Sequence, residues 1–284
     1  MKQFWKSLGL ALTYFIAFLG IQVWVTLIAV IGIIIDLVNT QGFGLMMDVE
    51  RFLELYLSAV VENMTLITTV SNLLTMVAVW VFFLCRHKKP HEEIGLEKTG
   101  GVNLVLALVY GFGMCFLVDL LTRILPISQA AMEEFSMQHD LLWAGDAIIN
   151  FLAVAILAPV AEEFCFRGLC YTRLRRGMRP VWAMLISAAL FGLAHGDPVW
   201  MLVGMAAGMA LAWIFETTGS LWCCILVHMT NNTISYLTAY VPMSEVTGWI
   251  LIGLAVPAFL ISAYFLHRYN HRPVENPALP EPLV

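Results

Sequence analysis

Two adjacent carboxylates and a guanidinium, Glu162, Glu163 and Arg167, stand inside a run that is largely apolar from Ala147 to Leu169. An ionisable side chain near the centre of a spanning helix costs about 2.5 kcal/mol or more by insertion scales, so such groups line polar cavities and mark functional sites. Three further polar residues, His195, His228 and Asn232, sit in nearby apolar runs. Residues four apart share a helix face, so Glu163 and Arg167 can pair while Glu162, about 100° round the helix, points elsewhere. One carboxylate is held and the other is left free. By the same spacing His228 and Asn232 share a face and can reach one cavity.

Hydrolysis of a peptide bond needs an activated water, donors for the tetrahedral oxyanion and a proton for the leaving amine. Glu162 with His195 can supply the water activation and the proton transfer, and Asn232 with a ring N–H of His228 can supply the donors. Phe191, one turn before His195, lines the same side. Cys165 lies three residues from Glu162 but has no evident base, which disfavours a thiol nucleophile. A zinc centre is the enzymatic rival, with Glu162, His195 and His228 as ligands. Against it, the chain has no HExxH and Arg167 would oppose a cation nearby; no cofactor is expected on the leading reading. From another class comes a non-catalytic membrane protein for binding, immunity or transport, since intramembrane carboxylates and histidines also make proton relays. A transporter favours broken helices in two related halves, and no internal repeat is visible. The structural readings are a Glu163–Arg167 pair that only joins helices, and a His228 that only satisfies a carbonyl.

The elements that must position these groups are membrane helices. Of 284 residues, 60% are hydrophobic and 12% charged, with a mean hydropathy of +0.82, outside the soluble range. Eight runs approach the roughly 20 residues that a spanning helix needs, near 8–35, 64–85, 102–125, 147–170, 181–196, 199–215, 220–241 and 248–267. A spanning backbone must satisfy its own hydrogen bonds, so the expected fold is all-α and polytopic, with about eight transmembrane helices. The fifth and sixth runs are short, and either tilt, thin the bilayer or stop inside the protein. The first is too long for a signal-peptide core and is expected to be retained. Three regions follow: helices and loops over 1–146, the catalytic helical core over 147–240, and a last helix with its tail over 241–284. The stretch from Met46 to Val61 fits either a surface helix or a loop over the bundle. Trp182, Trp200, Trp213, Trp222 and Trp249 fall at predicted helix ends, where indole sits at headgroup level. Gly204, Gly208 and Ala212 form a small-residue stripe suited to close packing within the monomer.

Charge sets the expected orientation. Lys2, Lys6, Arg86, Lys88, Lys89, Lys98, Arg173, Arg175, Arg176, Arg179, Arg268 and Arg272 fall on one side, against Arg51 and Arg123 on the other. The positive-inside rule then makes both termini cytoplasmic. A net charge of −5 argues against a nucleic-acid partner. The six cysteines form no CxxC pair, and packing as small hydrophobes accounts for them. Asp119 and Arg123 read as a local pair without chemistry.

Glu162-Glu163 to Arg167, Phe191 to His195, and His228 to Asn232 stand as EExxxR, FxxxH and HxxxN in order on apolar helical segments. In this the chain resembles the CPBP intramembrane proteases, also called Abi or type II CAAX prenyl endopeptidases, over roughly residues 147–240. The resemblance implies that Glu162 is catalytic, that His195 assists it in activating water, and that His228 and Asn232 stabilise the oxyanion, with Glu163, Arg167 and Phe191 in support. It also implies a bilayer setting in a bacterial or archaeal plasma membrane, and a protein or peptide substrate, with prenylated CAAX termini, peptide maturation and bacteriocin protection all represented among such proteins.

Overall fold

The computed structural model describes residues 2–142, 146–241 and 243–270, and among them every regular element is helical. The helices are α1 (Lys2–Gln41), α2 (Val49–Cys85), a short α3 (Pro90–Glu93), α4 (Gly101–Ile124), α5 (Gln129–Leu142), α6 (Ala147–Arg175), α7 (Pro180–Leu193), α8 (Pro198–Thr218), α9 (Leu221–Tyr240) and α10 (Glu245–Tyr269). All eight apolar runs are therefore helical. Six helices, α1, α2, α4, α6, α8 and α10, are long and apolar enough to cross a membrane. The Pro-rich stretch from Pro273 lies outside the described residues.

Local chemistry sets the helix ends. Asp197 accepts from the amides of Val199 and Trp200 at 2.8 and 3.1 Å, Pro198 opens α8, and Gly219 closes it with φ of 65°. Asp48 caps α2 by accepting from the Arg51 amide at 3.2 Å. The ambiguous Met46–Val61 stretch is thus neither a surface helix nor a loop. A short 3₁₀ turn covers Phe43–Met47, and from Val49 the chain is already the first four turns of α2.

The passes alternate in direction, and their basic ends meet. Gln3 donates to the Arg176 carbonyl at 3.3 Å, Arg173 pairs with Glu93 at 3.3 Å, and the Leu221 amide donates to the Gly95 carbonyl at 2.8 Å. Asn103 and Asn270 exchange side-chain hydrogen bonds at 3.0 and 2.8 Å. The start of α1, the α2–α4 and α6–α7 connections, the α8–α9 turn and the end of α10 therefore form one end of the bundle. Ten of the twelve basic residues counted above, Lys2 through Arg179 in sequence order, and Arg268 fall at these connections; Arg272 lies outside the described residues.

Helix α7 resolves the question of the short fifth run. Its fourteen residues reach only about 21 Å, short of a hydrocarbon core of about 30 Å. The chain turns back at Ala194–Asp197, short of a full span, and the small-residue stripe of α8 receives α7. A Cβ on Gly208 would lie 3.0 Å from the Ala188 Cα, and one on Gly204 would lie 3.3 Å from the Gly192 Cα. The tryptophans divide. Trp182, Trp222 and Trp249 are exposed as expected, but Trp213 stacks on Tyr110 inside the bundle and Trp200 sits in a cavity wall.

Candidate active site

Helix α6 carries the paired carboxylates on an unusual backbone. Its α-helical turns over Ala158–Glu163 are flanked by π-helical segments, Phe151–Leu157 and Phe164–Tyr171. Pro159 cannot donate to the preceding turn, and a widened turn accommodates its ring. Such π segments recur at functional sites because they redirect side chains within a continuous helix.

Glu163 and Arg167 are fully buried and joined at 2.8 Å. Arg167 also donates to the Gly208 carbonyl at 3.0 Å and lies 4.5 Å over the Phe191 ring. The second half of the contact explains why the charge tolerates burial: carboxylate, carbonyl and aromatic face each take part of it. The Nε of Arg167 and one oxygen, Oε2, of Glu163 have no hydrogen-bond partner.

The pair does more than join helices. Oε1 of Glu163 also lies 2.9 Å from Nδ1 of His228, whose Nε2 in turn lies 3.7 Å from Oε2 of Glu162. A carboxylate held by Arg167 can only accept, so Nδ1 of His228 carries the hydrogen and Nε2 is turned toward Glu162. The residues thus form a chain Arg167–Glu163–His228–Glu162 that runs from the sealed interior to a cavity.

His195 lines the same cavity as Glu162; its Nδ1 lies 2.8 Å from the Phe191 carbonyl, and no direct hydrogen bond or ion pair joins it to Glu162. Its ring is stacked with Trp200 at 6.4 Å and meets Phe191 edge-on at 5.0 Å. The structure makes His228 the nearer imidazole to Glu162. Asn232 also lines the cavity, donating to the Val154 carbonyl at 3.0 Å through one N–H of its amide. The amide carries a second hydrogen.

No three His, Cys, Asp or Glu side chains gather as metal ligands among the described residues. Glu162 and His228 face each other, His195 stands apart on Phe191, and one nitrogen of His228 is engaged by Glu163. Cys165 is buried with its thiol 4.0 Å from the Tyr14 carbonyl and has no base beside it.

The cavity has a volume of about 720 Å³ and is lined by eight helices, α1, α2 and α4 to α9. Its floor is aromatic: Phe166 meets Phe18 at 5.3 Å and Phe191 at 5.0 Å, both edge-on. Gln22 of α1, and Thr68 and Asn72 of α2, complete the polar wall. Isolated polar residues in the first two apolar runs were the signal for them, and motif reasoning confined to 147–240 passed over it. Helix α5 roofs the far side, with Phe135 tilted against Trp200 at 4.6 Å and His139 3.2 Å from the Ser235 hydroxyl. Burial pushes the His139 imidazole below its ordinary pKa, against the pull of the adjacent Asp140.

Residues 144–234 match the family model described as type II CAAX prenyl endopeptidase Rce1-like. The Rce1-like segment contains all three motifs and every residue of the Arg167–Glu163–His228–Glu162 chain, so the likeness drawn from EExxxR, FxxxH and HxxxN is borne out. Two curated relatives overlap the chain. One, named "Putative membrane peptidase YdiL", from Bacillus subtilis (strain 168), is 29% identical over 85 residues, 30% of this chain and 35% of that protein. The other, UPF0177 protein YaiF of Lactococcus lactis subsp. lactis (strain IL1403), is 26% identical over 138 residues, 46% of this chain and 60% of that protein. The matches thus span about a third and three-fifths of these relatives' own lengths. No solved structure matches.

Proposed function

We propose that this protein is an intramembrane endopeptidase in which Glu162 activates water against a peptide bond of a membrane-associated substrate. The observation that carries the reading is the Arg167–Glu163–His228–Glu162 chain ending at a cavity inside a helical bundle. The Rce1-like segment and the name of the Bacillus relative support the same coarse activity.

In the proposed reaction Glu162 takes a proton from water as the oxygen attacks the carbonyl carbon. His195, across the cavity and steadied by Trp200 and Phe191, holds that water through its free ring nitrogen. The developing oxyanion receives the second N–H of Asn232 and, when His228 is protonated, its Nε2–H. Glu163 fixes the His228 ring so that Nε2 faces the reacting atoms, as a carboxylate orients imidazole in other hydrolases. The proton held by Glu162 then passes to the leaving amine as the C–N bond breaks. Basic residues gather at the end where α1 begins and α10 finishes, so this reading places that end in the cytoplasm of a bacterial or archaeal host. A prenylated C-terminus is the substrate that the family description suggests.

The test is a comparison of membrane-protein termini in host cells carrying wild type or Glu162→Gln at equal abundance. New termini are expected only with wild type, and in vitro cleavage by purified protein confirms directness. Full activity of Glu162→Gln overturns the mechanism.

A further inference from the structure

We propose that the substrate reaches this site from the extracytoplasmic face, and that the bond cut lies in an extracytoplasmic juxtamembrane segment of a membrane-anchored protein or peptide. The proposal rests on the peptidase reading above and names its substrate class. Two independent observations meet in it. The first is the position of the cavity along every helix that lines it. Its floor is set by Phe166 of α6, Phe191 of α7 and His228 of α9, and all its other residues on those helices lie toward the ends away from the basic connections. The same holds on α4, where the lining starts at Cys115 and runs to Arg123 near the helix end, and the cavity continues past α9 to Met243.

On the basic side of that floor the bundle is closed. Phe166, Tyr171 and Leu174 are fully buried, and Ile94 packs so tightly on Gly168 that a Cβ there would lie 2.8 Å from it. Below them Arg175 pairs with Glu216 at 2.9 Å, and the Tyr171 hydroxyl donates to the same carboxylate at 2.6 Å. A chain arriving from the basic side would have to break this layer. Among the described residues, a chain arriving from the other side meets α5, which is not long and apolar enough to cross a membrane and rests on the mouth through Phe135 and His139.

The second observation is charge. Eleven described lysines and arginines lie at the closed end, against Arg51 and Arg123 toward the other, and the mouth carries Asp119 and Asp140, with Arg123 already 3.0 Å from Asp119. By the positive-inside rule the closed end is cytoplasmic and the mouth is outside. Lipidated C-termini made in the cytosol lie against the cytoplasmic leaflet, at the closed end, so they are poorly placed as substrates. Extracytoplasmic stems of anchored proteins are well placed.

Sidedness is tested without any assay of proteolysis. Asp140→Cys at the mouth and Lys98→Cys at the basic end are made separately in a Cys85→Ser, Cys115→Ala background, the remaining four cysteines being buried. Intact cells, or spheroplasts where an outer membrane intervenes, are treated with a charged, membrane-impermeant maleimide. Asp140→Cys is expected to label before permeabilisation and Lys98→Cys only after it. Labelling of Lys98→Cys in intact cells, or protection of Asp140→Cys until permeabilisation, overturns the proposal. The termini that depend on Glu162 supply the second arm and are expected in extracytoplasmic juxtamembrane segments; cytosolic C-termini would overturn the substrate class. Absence of any such termini, with the labelling as expected, would refute the peptidase reading alone and leave the orientation standing.

Discussion

Separating the two buried charges of α6 should expose how the site is held together. Glu163→Leu removes the carboxylate that receives Arg167 at 2.8 Å and His228 at 2.9 Å, and leaves the guanidinium with only the Gly208 carbonyl at 3.0 Å and the Phe191 face at 4.5 Å. Breaking a fully buried pair by removing one partner costs about 3–5 kcal/mol, and the two surviving contacts place the expected loss near the lower end, about 3 kcal/mol. Arg167→Met should cost a similar amount, because Glu163 then keeps only His228. The double variant removes both charges and leaves mainly the buried Nδ1–H of His228 without its acceptor, at about 1–3 kcal/mol. Its loss should therefore fall at least about 2 kcal/mol short of the summed single losses. Reversible unfolding in detergent micelles, followed by helical circular dichroism, measures all three. The double variant should also remain inactive, since His228 has lost the group that fixes its ring. Single-variant losses that add within about 0.5 kcal/mol would refute the claim that the pair acts as one buried unit. Recovered activity in the double variant would refute the orienting role of Glu163.

Two further substitutions probe the walls of the site. Asn232→Ala should lower turnover roughly a hundredfold or more if its amide receives the oxyanion, and cost about 1 kcal/mol of stability by orphaning the Val154 carbonyl; unchanged turnover removes the role. Gly208→Val introduces a Cβ 3.0 Å from the Ala188 Cα and 3.3 Å from the Phe191 Cβ, forcing α7 off α8. A loss of about 1–3 kcal/mol is expected, with reduced activity because α7 carries Phe191 and His195, and a stable, fully active variant would show that the α7–α8 contact does not position the site.

The sequence made some of this arrangement legible because hydropathy and helical spacing are local properties. Eight apolar runs became eight helices, and the i,i+4 spacing of Glu163 and Arg167 became a buried pair, since both follow from the 3.6-residue turn regardless of what surrounds it. Rotation between helices is less legible. The EExxxR, FxxxH and HxxxN spacings gave no sign that His228 would lie between the two carboxylates, because the azimuth of one helix on another is not a local property, and the π-helical turns on both sides of Ala158–Glu163 shift it again. The same limit hid the meaning of Asp119 and Arg123, a pair at ordinary i,i+4 spacing that turns out to sit at the mouth of the cavity. It hid the contribution of α1 and α2 as well, whose Gln22 and Asn72 line the cavity. In a membrane bundle a stray polar residue is costly unless it faces protein or water, so each one is evidence about which side of its helix looks inward. Taken together, Gln22, Asn72, Asp119, Glu162, His228 and Asn232 all point to one cavity away from the basic loops. The direction from which a substrate arrives was thus partly written in where the polar residues stop: from the Phe166 floor toward the basic end, the interior of α6 is sealed by Tyr171 and Leu174.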